Sequence, residues 1–300
     1  MSAPHLSGPI DLNASEGIYG MTRNAFGGKW TQDKLLALQD YLKFYTTALK
    51  GQRFKLVYID CFAGTGAVKA RIANGTTLLN GSARVALDCE PPFHEFQFIE
   101  FKKAHMRELE AMCNSHPRAS RCHVHRGDAS KLLPGVLNGY DWRNTRGVLF
   151  LDPFGLQCDW RMLQQIASTR ALDVFFWVSL SGLYRQAALN AASIDENKAA
   201  RLTAFLGTDQ WKTALYTASP QSDLFDEPAK TRDRGWEPML QFTTLRLQSQ
   251  FPYVSEPVLA KTPNGAPLYA LYFCVSSHSD RALKLASKVS RDILAKLRSP

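Results

Sequence analysis

The sequence predicts an α/β fold built on a doubly wound, mostly parallel sheet. Between residues 54 and 180, runs rich in β-branched and aromatic residues alternate with segments of helical periodicity. An acidic residue ends or directly follows each of the first four runs. Strands that alternate with helices are joined by right-handed crossovers, which place parallel strands side by side beneath two layers of helices.

The first predicted element is a helix over residues 30–50. Apolar side chains recur there at the spacing of one helical face, namely at Leu35, Leu38, Leu42, Tyr45 and Leu49. Thr31 is expected to be the N-cap, because threonine is a good helix-capping residue. Residues 1–53 are therefore predicted to form an extension that ends in this leading helix.

Five strands and their connecting helices are predicted to form the core, residues 54–182. The strands are expected within 54–64, 93–100, 121–128, 146–155 and 172–180. The clearest helices lie at 102–113 and 159–168, and a further crossover helix is expected to begin near Gly81 and Ser82. The segment KARIANGTTLLN, residues 69–80, is interpreted as an inserted loop.

The remainder of the chain divides into an insertion and a closing segment. Residues 183–251 have mainly helical patterns and are predicted to be a helical insertion packed on the sheet. Residues 252–300 are predicted to complete the core. They begin with two extended runs joined around Pro263, Asn264 and Gly265, which indicate an antiparallel hairpin, and they end with a helix.

Composition and charge narrow the class of protein. Of 300 residues, 45% are hydrophobic, and 36 basic against 27 acidic side chains give a net charge of +9. This charge favours a polyanionic partner such as nucleic acid. The six cysteines include no CxxC pair, so we expect neither a disulfide framework nor a metal site. Since the sequence shows no signal-peptide pattern and no apolar segment of membrane length, we expect a cytoplasmic protein without a membrane partner.

Four acids are predicted to line one edge of the sheet. Asp60, Glu100, Asp128 and Asp152 each stand at or just after the end of one of the first four strands. The carboxyl ends of parallel strands meet at one edge, where open α/β sheets bind their ligands. At this edge Asp60 is suited to an ammonium or hydroxyl group, Glu100 to the hydroxyls of a ribose, and Asp128 to an adenine amino group.

A glycine-rich turn follows the first strand in YIDCFAGTGAV. Gly64 and Gly66 would let a ligand approach the backbone closely, although glycine serves a purely structural turn equally well. Glu100 lies 36 residues beyond Gly64, more than the ~20 of a dinucleotide fingerprint, so a solvated acid at a helix start is the alternative for Glu100. The alternative for Asp128 is to cap the helix that begins at Ser130.

The segment Asp152 to Gly155 carries the candidate catalytic residues. Methylation of an exocyclic amine requires acceptors for the two amine hydrogens, because the nitrogen lone pair is delocalised until the nitrogen becomes tetrahedral. Asp152 supplies a carboxylate, and Pro153 fixes the backbone so that a carbonyl oxygen faces the pocket. Phe154 supplies a face on which a flat substrate would stack.

Taken in order, several short motifs resemble the three-Cys-motif partner family, a group of S-adenosylmethionine methyltransferase-like proteins encoded beside a cysteine-motif protein. The motifs are WTQDK, YIDCFAGTG, GSARVAL, FLDPFG and LYALYFCVSS, and the resemblance spans residues 26–298. It implies the class I methyltransferase variant of the Rossmann-like fold, with seven strands of which the last is antiparallel. It also implies a cysteine-motif protein, encoded nearby, as a partner.

The resemblance further implies S-adenosylmethionine as the cofactor and a set of residues that hold it. These are Asp60, Ala63, Gly64, Gly66, Glu100 and Asp128, to which we add their neighbours Phe62, Phe101 and Ala129 as well as Asp152. The DPFG motif is more distantly similar to the motif of tRNA guanine amino-group dimethyltransferases and to the DPPY motif of adenine amino-group methyltransferases. Phe154 replaces the second proline of the adenine motif DPPY and Gly155 replaces its aromatic residue, so adenine is not implied as the target.

Trp30 and Lys34 stand at the start of the leading helix, which in this fold can close over the cofactor. We assign both to substrate binding together with Phe154 and Gly155. The alternative is a hydrophobic staple at Trp30 and a surface lysine at position 34. Trp177, inside a strand, is expected to belong to the core.

The leading hypothesis is an S-adenosylmethionine-dependent methyltransferase that acts on an exocyclic amino group of a nucleobase in RNA or DNA. In this hypothesis the carboxylate of Asp152 and the carbonyl of Pro153 orient the target amine. Two alternatives stay open. One is the same chemistry on a small amine or a protein side chain, and the other is a non-catalytic cofactor-binding partner of the cysteine-motif protein.

Overall fold

The structure, a computed structural model, describes residues 27–72, 75–218, 230–262 and 264–298. Its strands are β1 Lys55–Asp60, β2 Ala67–Ile72, β3 Gly75–Asn80, β4 Glu95–Glu100, β5 Cys122–Arg126, β6 Thr145–Leu151, β7 Leu172–Ser179, β8 Tyr216–Ala218, β9 Lys230–Arg232, β10 Tyr253–Val254, β11 Val258–Lys261 and β12 Pro267–Val275. Its helices are α1 Gly27–Leu49, α2 Ser82–Leu87, α3 Lys103–Asn114, α4 Ala129–Asn138, α5 Trp160–Ser168, α6 Leu180–Gln186, α7 Glu196–Leu206, α8 Trp211–Ala214, α9 Glu237–Gln248 and α10 Asp280–Arg298.

The central sheet has the strand order β10-β12-β7-β6-β1-β4-β5. The five strands β5, β4, β1, β6 and β7 are parallel to one another, whereas β12 is antiparallel to β7. The outermost position beside β12 is shared by two short antiparallel strands, β10 and β11. The predicted Rossmann-like fold of the class I methyltransferase type, with an antiparallel last strand, is thereby confirmed.

The sheet is buried on both faces, as expected for parallel strands covered by crossover helices. On one face, side chains such as Tyr58 and Phe150 pack under α1, α2, α3 and α10. On the other face, their chain neighbours Ile59 and Leu149 pack with α4, α5, α7 and α9. This alternation explains why the strands read as continuous apolar runs in the sequence.

Helix α1 covers the face that contains Tyr58. Its predicted apolar stripe is buried, with Leu38 and Leu42 fully inaccessible. The Tyr41 hydroxyl donates a hydrogen bond of 2.5 Å to Oδ2 of Asp173 on β7. The predicted N-cap role of Thr31 is wrong, because the helix already begins at Gly27 and residue 31 lies inside it.

The segment interpreted as an inserted loop is a β-hairpin. Strands β2 and β3 pair antiparallel from Ala67 opposite Asn80 to Ile72 opposite Gly75. The hairpin returns the chain to the glycine turn, where the Gly81 amide donates to the Gly66 carbonyl at 2.8 Å. Helix α2 begins immediately afterwards at Ser82, which agrees with the predicted start of the crossover helix.

The chain after β7 forms helices α6 to α9 and a small hairpin of β8 and β9. Its buried side chains, which include Trp211, Met239 and Leu247, join the core on the face opposite α1. The closing hairpin pairs β11 with β12, and its turn holds Gly265 at a φ of 80°. Pro263, which we predicted to be part of that turn, lies outside the described residues. Within the described ranges, no helix combines the length and apolarity needed to cross a membrane.

Candidate cofactor and amine site

The glycine turn after β1 is open on one side. Gly64 adopts a φ of 62°, and a Cβ atom placed on it would meet nothing within 4 Å. This left-handed conformation favours glycine. The turn therefore leaves room for a ligand against the Gly64 backbone.

Gly66 has a packing role in the same turn. It adopts a φ of 79°, and a Cβ atom on it would overlap Sδ of Met112 on α3. Gly81 also packs closely, since a Cβ there would lie 2.9 Å from the carbonyl carbon of Gly66. Glycine at 66 thus allows β1, the start of α2 and α3 to converge, which is the structural alternative that the sequence left open.

Asp60 supports the turn from inside the protein. Its side chain is fully buried and accepts hydrogen bonds from the Ser82 hydroxyl at 2.6 Å, the Phe62 amide at 3.2 Å and the Tyr58 hydroxyl at 3.4 Å. Burial raises the pKa of Asp60 to about 7, against the opposing effect of the Ser82 hydrogen bond, and the charge of Asp152 raises it further. These contacts hold the turn to α2.

Glu100, at the end of β4, reaches the glycine turn directly. Its Oε2 accepts a hydrogen bond from the Gly64 amide at 2.9 Å, and its Oε1 accepts one from the Lys102 amide at 2.7 Å. His105 lies beside the same carboxylate, with Nδ1 3.6 Å from Oε1. A carboxylate has about four lone-pair positions, so two remain for further donors such as ribose hydroxyls.

The other residues assigned to the cofactor surround this pair. Phe101, directly after Glu100, is 55% exposed and offers an aromatic face at the edge of the sheet. The Ala63 amide donates to the Ile99 carbonyl at 3.0 Å, which joins β1 to β4 below the turn. Phe62 is half-buried and packs against the core.

Asp128 is the N-cap of α4. Its Oδ1 accepts hydrogen bonds from the Ser130 amide at 2.9 Å and from the Ser130 hydroxyl at 2.8 Å. The capping role that the sequence offered as an alternative is therefore present. The side chain is also exposed, whereas Ala129, the first residue of α4, is buried. Capping uses Oδ1, so Oδ2 can still accept a hydrogen bond from a ligand.

Asp152 forms an ion pair with Lys34 of α1. The Lys34 Nζ atom lies 2.6 Å from Oδ2 of Asp152, and the two side chains are 17% and 32% exposed. The same ammonium lies 5.3 Å from the ring centroid of Trp177 and 6.0 Å from that of Phe150. Lys34 is therefore a direct partner of the candidate catalytic acid instead of a free surface lysine.

The residues after Asp152 bring an aromatic ring to the surface. Phe154 is half-exposed, Pro153 is buried, and Gly155 adopts a φ of 66° with open space where a Cβ would be. The Phe154 amide donates to Oε1 of Gln157 at 3.2 Å. The turn thus presents a ring and an uncrowded backbone next to Asp152.

Trp177 is the residue whose place in the site sequence reasoning missed. It is 4% exposed and belongs to the core, as expected, but its ring also faces the Lys34 ammonium. Its Nε1 atom has no hydrogen-bond partner among the described residues. In the parallel pairing of β6 with β7, Phe150 lies opposite Phe175, so two residues further along each chain Asp152 and Trp177 come together. Trp30 is half-buried and packs against the core on the α1 side.

The predicted site residues thus form two joined groups. Glu100 contacts Gly64, and Lys34 contacts Asp152, while the charge of Asp152 acts on buried Asp60. The hydrogen bonds of the described residues do not connect Asp128 to either group. Within the same ranges, no cluster of three or more His, Cys, Asp or Glu side chains is arranged to hold a metal ion.

Comparisons with known proteins give likenesses of fold. No family model and no curated protein matches the sequence. Among solved structures, protein LPL1258 from Legionella pneumophila aligns with 90% of this chain and 92% of its own, at 12% identity and a TM-score of 0.49. Cofactor-bound Rv0187 from MTB aligns with 84% and 92%, at 13% identity and a TM-score of 0.37. The glycopeptide N-methyltransferase MtfA, in complex with sinefungin, aligns with 79% and 93%, at 10% identity and a TM-score of 0.33.

Proposed function

We propose that this protein is an S-adenosylmethionine-dependent methyltransferase that acts on an exocyclic amino group of a nucleobase in RNA or DNA. The observation that carries the proposal is the contact of Asp152 with an amino group, the Nζ atom of Lys34, at 2.6 Å. Asp152 follows β6, the neighbour of β1, whose end carries the open turn at Gly64. Asp152, which can accept hydrogen bonds from an amine, and the turn at Gly64, which leaves room for a ligand, thus lie at the same edge of the sheet.

The described residues fit S-adenosylmethionine at this edge. The space in front of Gly64 admits a ligand against the backbone, and Glu100 retains acceptor capacity for the two ribose hydroxyls. Phe101 offers its exposed ring to the adenine, and Oδ2 of Asp128 can accept from the adenine amino group. Buried Asp60 holds the turn in shape and is assigned no direct contact with the cofactor. When bound, the cofactor supplies an electrophilic methyl group on its sulfonium.

Asp152 and its neighbours would prepare the amine for attack. A carboxylate oxygen of Asp152 and the carbonyl oxygen of Pro153 would each accept a hydrogen bond from one N–H of the amine. These hydrogen bonds would make the nitrogen lone pair available as the nitrogen becomes tetrahedral. The exposed ring of Phe154 offers a stacking face for the base. The enzyme would hold the two reactants next to each other, and because the sulfonium is already a strong methyl donor the mechanism would need no covalent enzyme intermediate.

Charge and sequence motifs support nucleic acid and a protein partner. The net charge of +9 favours a polyanionic substrate. The motifs that resemble the three-Cys-motif partner family favour a cysteine-motif protein as the partner, in the cytoplasm. In this proposal residues 183–251 are an insertion that packs against the sheet face opposite α1.

A second candidate, methylation of an alkyl amine, rests on one specific observation. The amino group that contacts Asp152 here is aliphatic and lies near two aromatic rings. Aromatic faces and a carboxylate stabilise alkylammonium groups. A small amine or a lysine side chain of another protein would use the same acid.

The test is methyl transfer from labelled S-adenosylmethionine to four pools: total RNA, DNA, small amines and the cysteine-motif partner. Asp152→Ala is the test variant, and Asp209→Ala, at an exposed position to which the proposal assigns no role, is the matched control. We expect label in nucleic acid, lost with Asp152→Ala and retained with Asp209→Ala. Label only in amines or in the partner would support the second candidate. Cofactor binding without transfer to any pool would leave a non-catalytic cofactor-binding protein.

A further inference from the structure

The Lys34 ammonium occupies a partly buried setting at the end of β6. Oδ2 of Asp152 lies 2.6 Å from Nζ, and the rings of Trp177 and Phe150 have their centroids 5.3 Å and 6.0 Å away. The Lys34 side chain is 17% exposed, whereas that of Lys296, which also pairs with an aspartate, is 68% exposed. A carboxylate with aromatic walls is the chemistry that recognises an ammonium or amino group.

We propose that this setting is the subsite for the target amino group, and that Lys34 fills it until the substrate amine displaces Lys34. The inference rests on the proposed amino-group methyl transfer. An ammonium and an amine both donate N–H hydrogen bonds, so one carboxylate oxygen can hold either of them but not both in the same place. Lys34 therefore competes with the substrate at Asp152.

The position of Lys34 makes this exchange feasible. A lysine ammonium sits on a flexible four-carbon stem, so it can swing away without unfolding its helix. Lys34 lies in the second turn of α1, and Asp152 retains 32% exposure on the solvent side. The ion pair is thus partly open to water, where such pairs contribute little to stability.

The Asp152 carboxylate explains why the subsite holds a cation in the free protein. Removal of the Lys34 ammonium would leave this partly buried carboxylate without the cation that it contacts here. An amine ligand that enters as Lys34 leaves restores the donor to Asp152. The ligand class is therefore a primary amine or ammonium rather than an alcohol, which would bring one donor and no charge.

The test uses the full chain with Lys34→Ala and n-butylammonium, an aliphatic ammonium with the same number of carbons as a complete lysine side chain. Binding is measured by calorimetry and by ligand-observed NMR, with n-butanol as the uncharged control. We expect n-butylammonium to bind Lys34→Ala and not the wild type, in which Lys34 fills the subsite. Adding Asp152→Asn should weaken this binding by about tenfold or more, because the asparagine oxygen can still accept a hydrogen bond but no longer carries the negative charge that attracts the ammonium.

Lys34→Arg is the matched variant, because its side chain is longer than that of lysine, keeps a positive charge for Asp152 and should block n-butylammonium. If Lys34→Ala does not fold, Lys34→Ser opens the same space. Equal binding of n-butylammonium to the wild type and to the folded variant, or no binding to that variant, would overturn the inference. Methyl transfer by a protein that does not bind n-butylammonium would overturn this inference and leave the proposed function standing. Binding of n-butylammonium without methyl transfer to any amine would overturn the proposed function and leave only an amine-binding site.

Kinetics give an independent readout. If Lys34 competes with the substrate, Lys34→Ala should lower the KM for the amine substrate. A fall in kcat at unchanged KM would instead make Lys34 a positioning residue for Asp152, and the inference would be wrong.

Discussion

The Glu100 carboxylate accepts a hydrogen bond from the Gly64 amide at 2.9 Å and so joins the end of β4 to the open turn after β1. The same carboxylate accepts from the Lys102 amide and lies near His105. One side chain thereby sets the width of the opening at Gly64. It also keeps lone pairs available at the place where a ribose would lie.

Glu100→Ala should weaken binding of S-adenosylhomocysteine by about tenfold to a hundredfold, because it removes charge-assisted hydrogen bonds to the ligand. Isothermal titration calorimetry measures the loss. Glu95→Ala, at the opposite end of β4, removes an ion pair with Lys55 instead and should leave the affinity unchanged. Equal effects of the two variants would show that general destabilisation, and not ribose binding, is responsible.

Substitutions of Asp128 can separate its role as a helix cap from its proposed role in cofactor binding. Asp128→Ala should lower the free energy of unfolding by about 1 kcal/mol, because the Ser130 amide at the start of α4 loses its acceptor. Asp128→Ser should retain most of that stability, since serine is also a good N-cap. Serine has only one side-chain oxygen, which the helix cap uses, so we expect the Asp128→Ser variant to bind S-adenosylhomocysteine about tenfold more weakly.

Urea denaturation and calorimetry on the two Asp128 variants give the answer together. If Asp128→Ser keeps both the stability and the affinity of the wild type, the residue is only a helix cap. The adenine role would then be wrong.

The strands could be predicted because parallel strands buried on both faces leave continuous apolar runs in the sequence. The run LDVFFWVS of β7 is an example, with nearly every side chain inaccessible. The sequence does not predict the hairpin of β2 and β3, because neither AVKARI nor GTTLLN is a continuous apolar run.

The sequence predicts the position of the site residues at the sheet edge better than it predicts the contacts between them. Periodicity places Asp60, Glu100 and Asp152 at strand ends, since that follows from local pattern. The ion pair of Lys34 with Asp152 joins residues 118 positions apart and depends on how α1 crosses the sheet. No local pattern contains that information, so the ion pair and its contact with Trp177 could not be predicted from the sequence.

Nε1 of buried Trp177 has no hydrogen-bond partner in the part of the chain that the structure describes. Trp177 and Trp211 are 4% and 2% exposed, but Nε1 of Trp211 donates to the Thr203 hydroxyl at 3.0 Å. A phenylalanine at either position loses similar apolar volume, and only Trp211→Phe also loses a hydrogen bond. Trp211→Phe should therefore be more destabilising than Trp177→Phe by about 1 kcal/mol.

Urea denaturation at one pH measures both variants. A loss at Trp177→Phe as large as that at Trp211→Phe would indicate that Nε1 of Trp177 has a partner in solution.

Asp60 should make the protein less stable as the pH rises from about 4 to about 7. Burial raises the pKa of this carboxyl from 3.8 to about 7, so the folded state holds the proton over a range in which the unfolded chain releases it. Proton release favours the unfolded chain, and the free energy of unfolding falls with pH. Above about 7 both states are ionised and the effect levels off.

Asp60→Asn removes this titration while it can still accept the hydrogen bond from the Phe62 amide. The variant should gain stability relative to the wild type as the pH rises from 4 to 7, and the difference should then stay constant. Asp173, whose pKa burial also raises to about 7, is present in both proteins and cancels in the comparison. Urea denaturation across this range measures the difference. A difference that does not change with pH would mean that Asp60 is already ionised in the folded protein at pH 4, in which case its three hydrogen-bond donors outweigh the cost of burial.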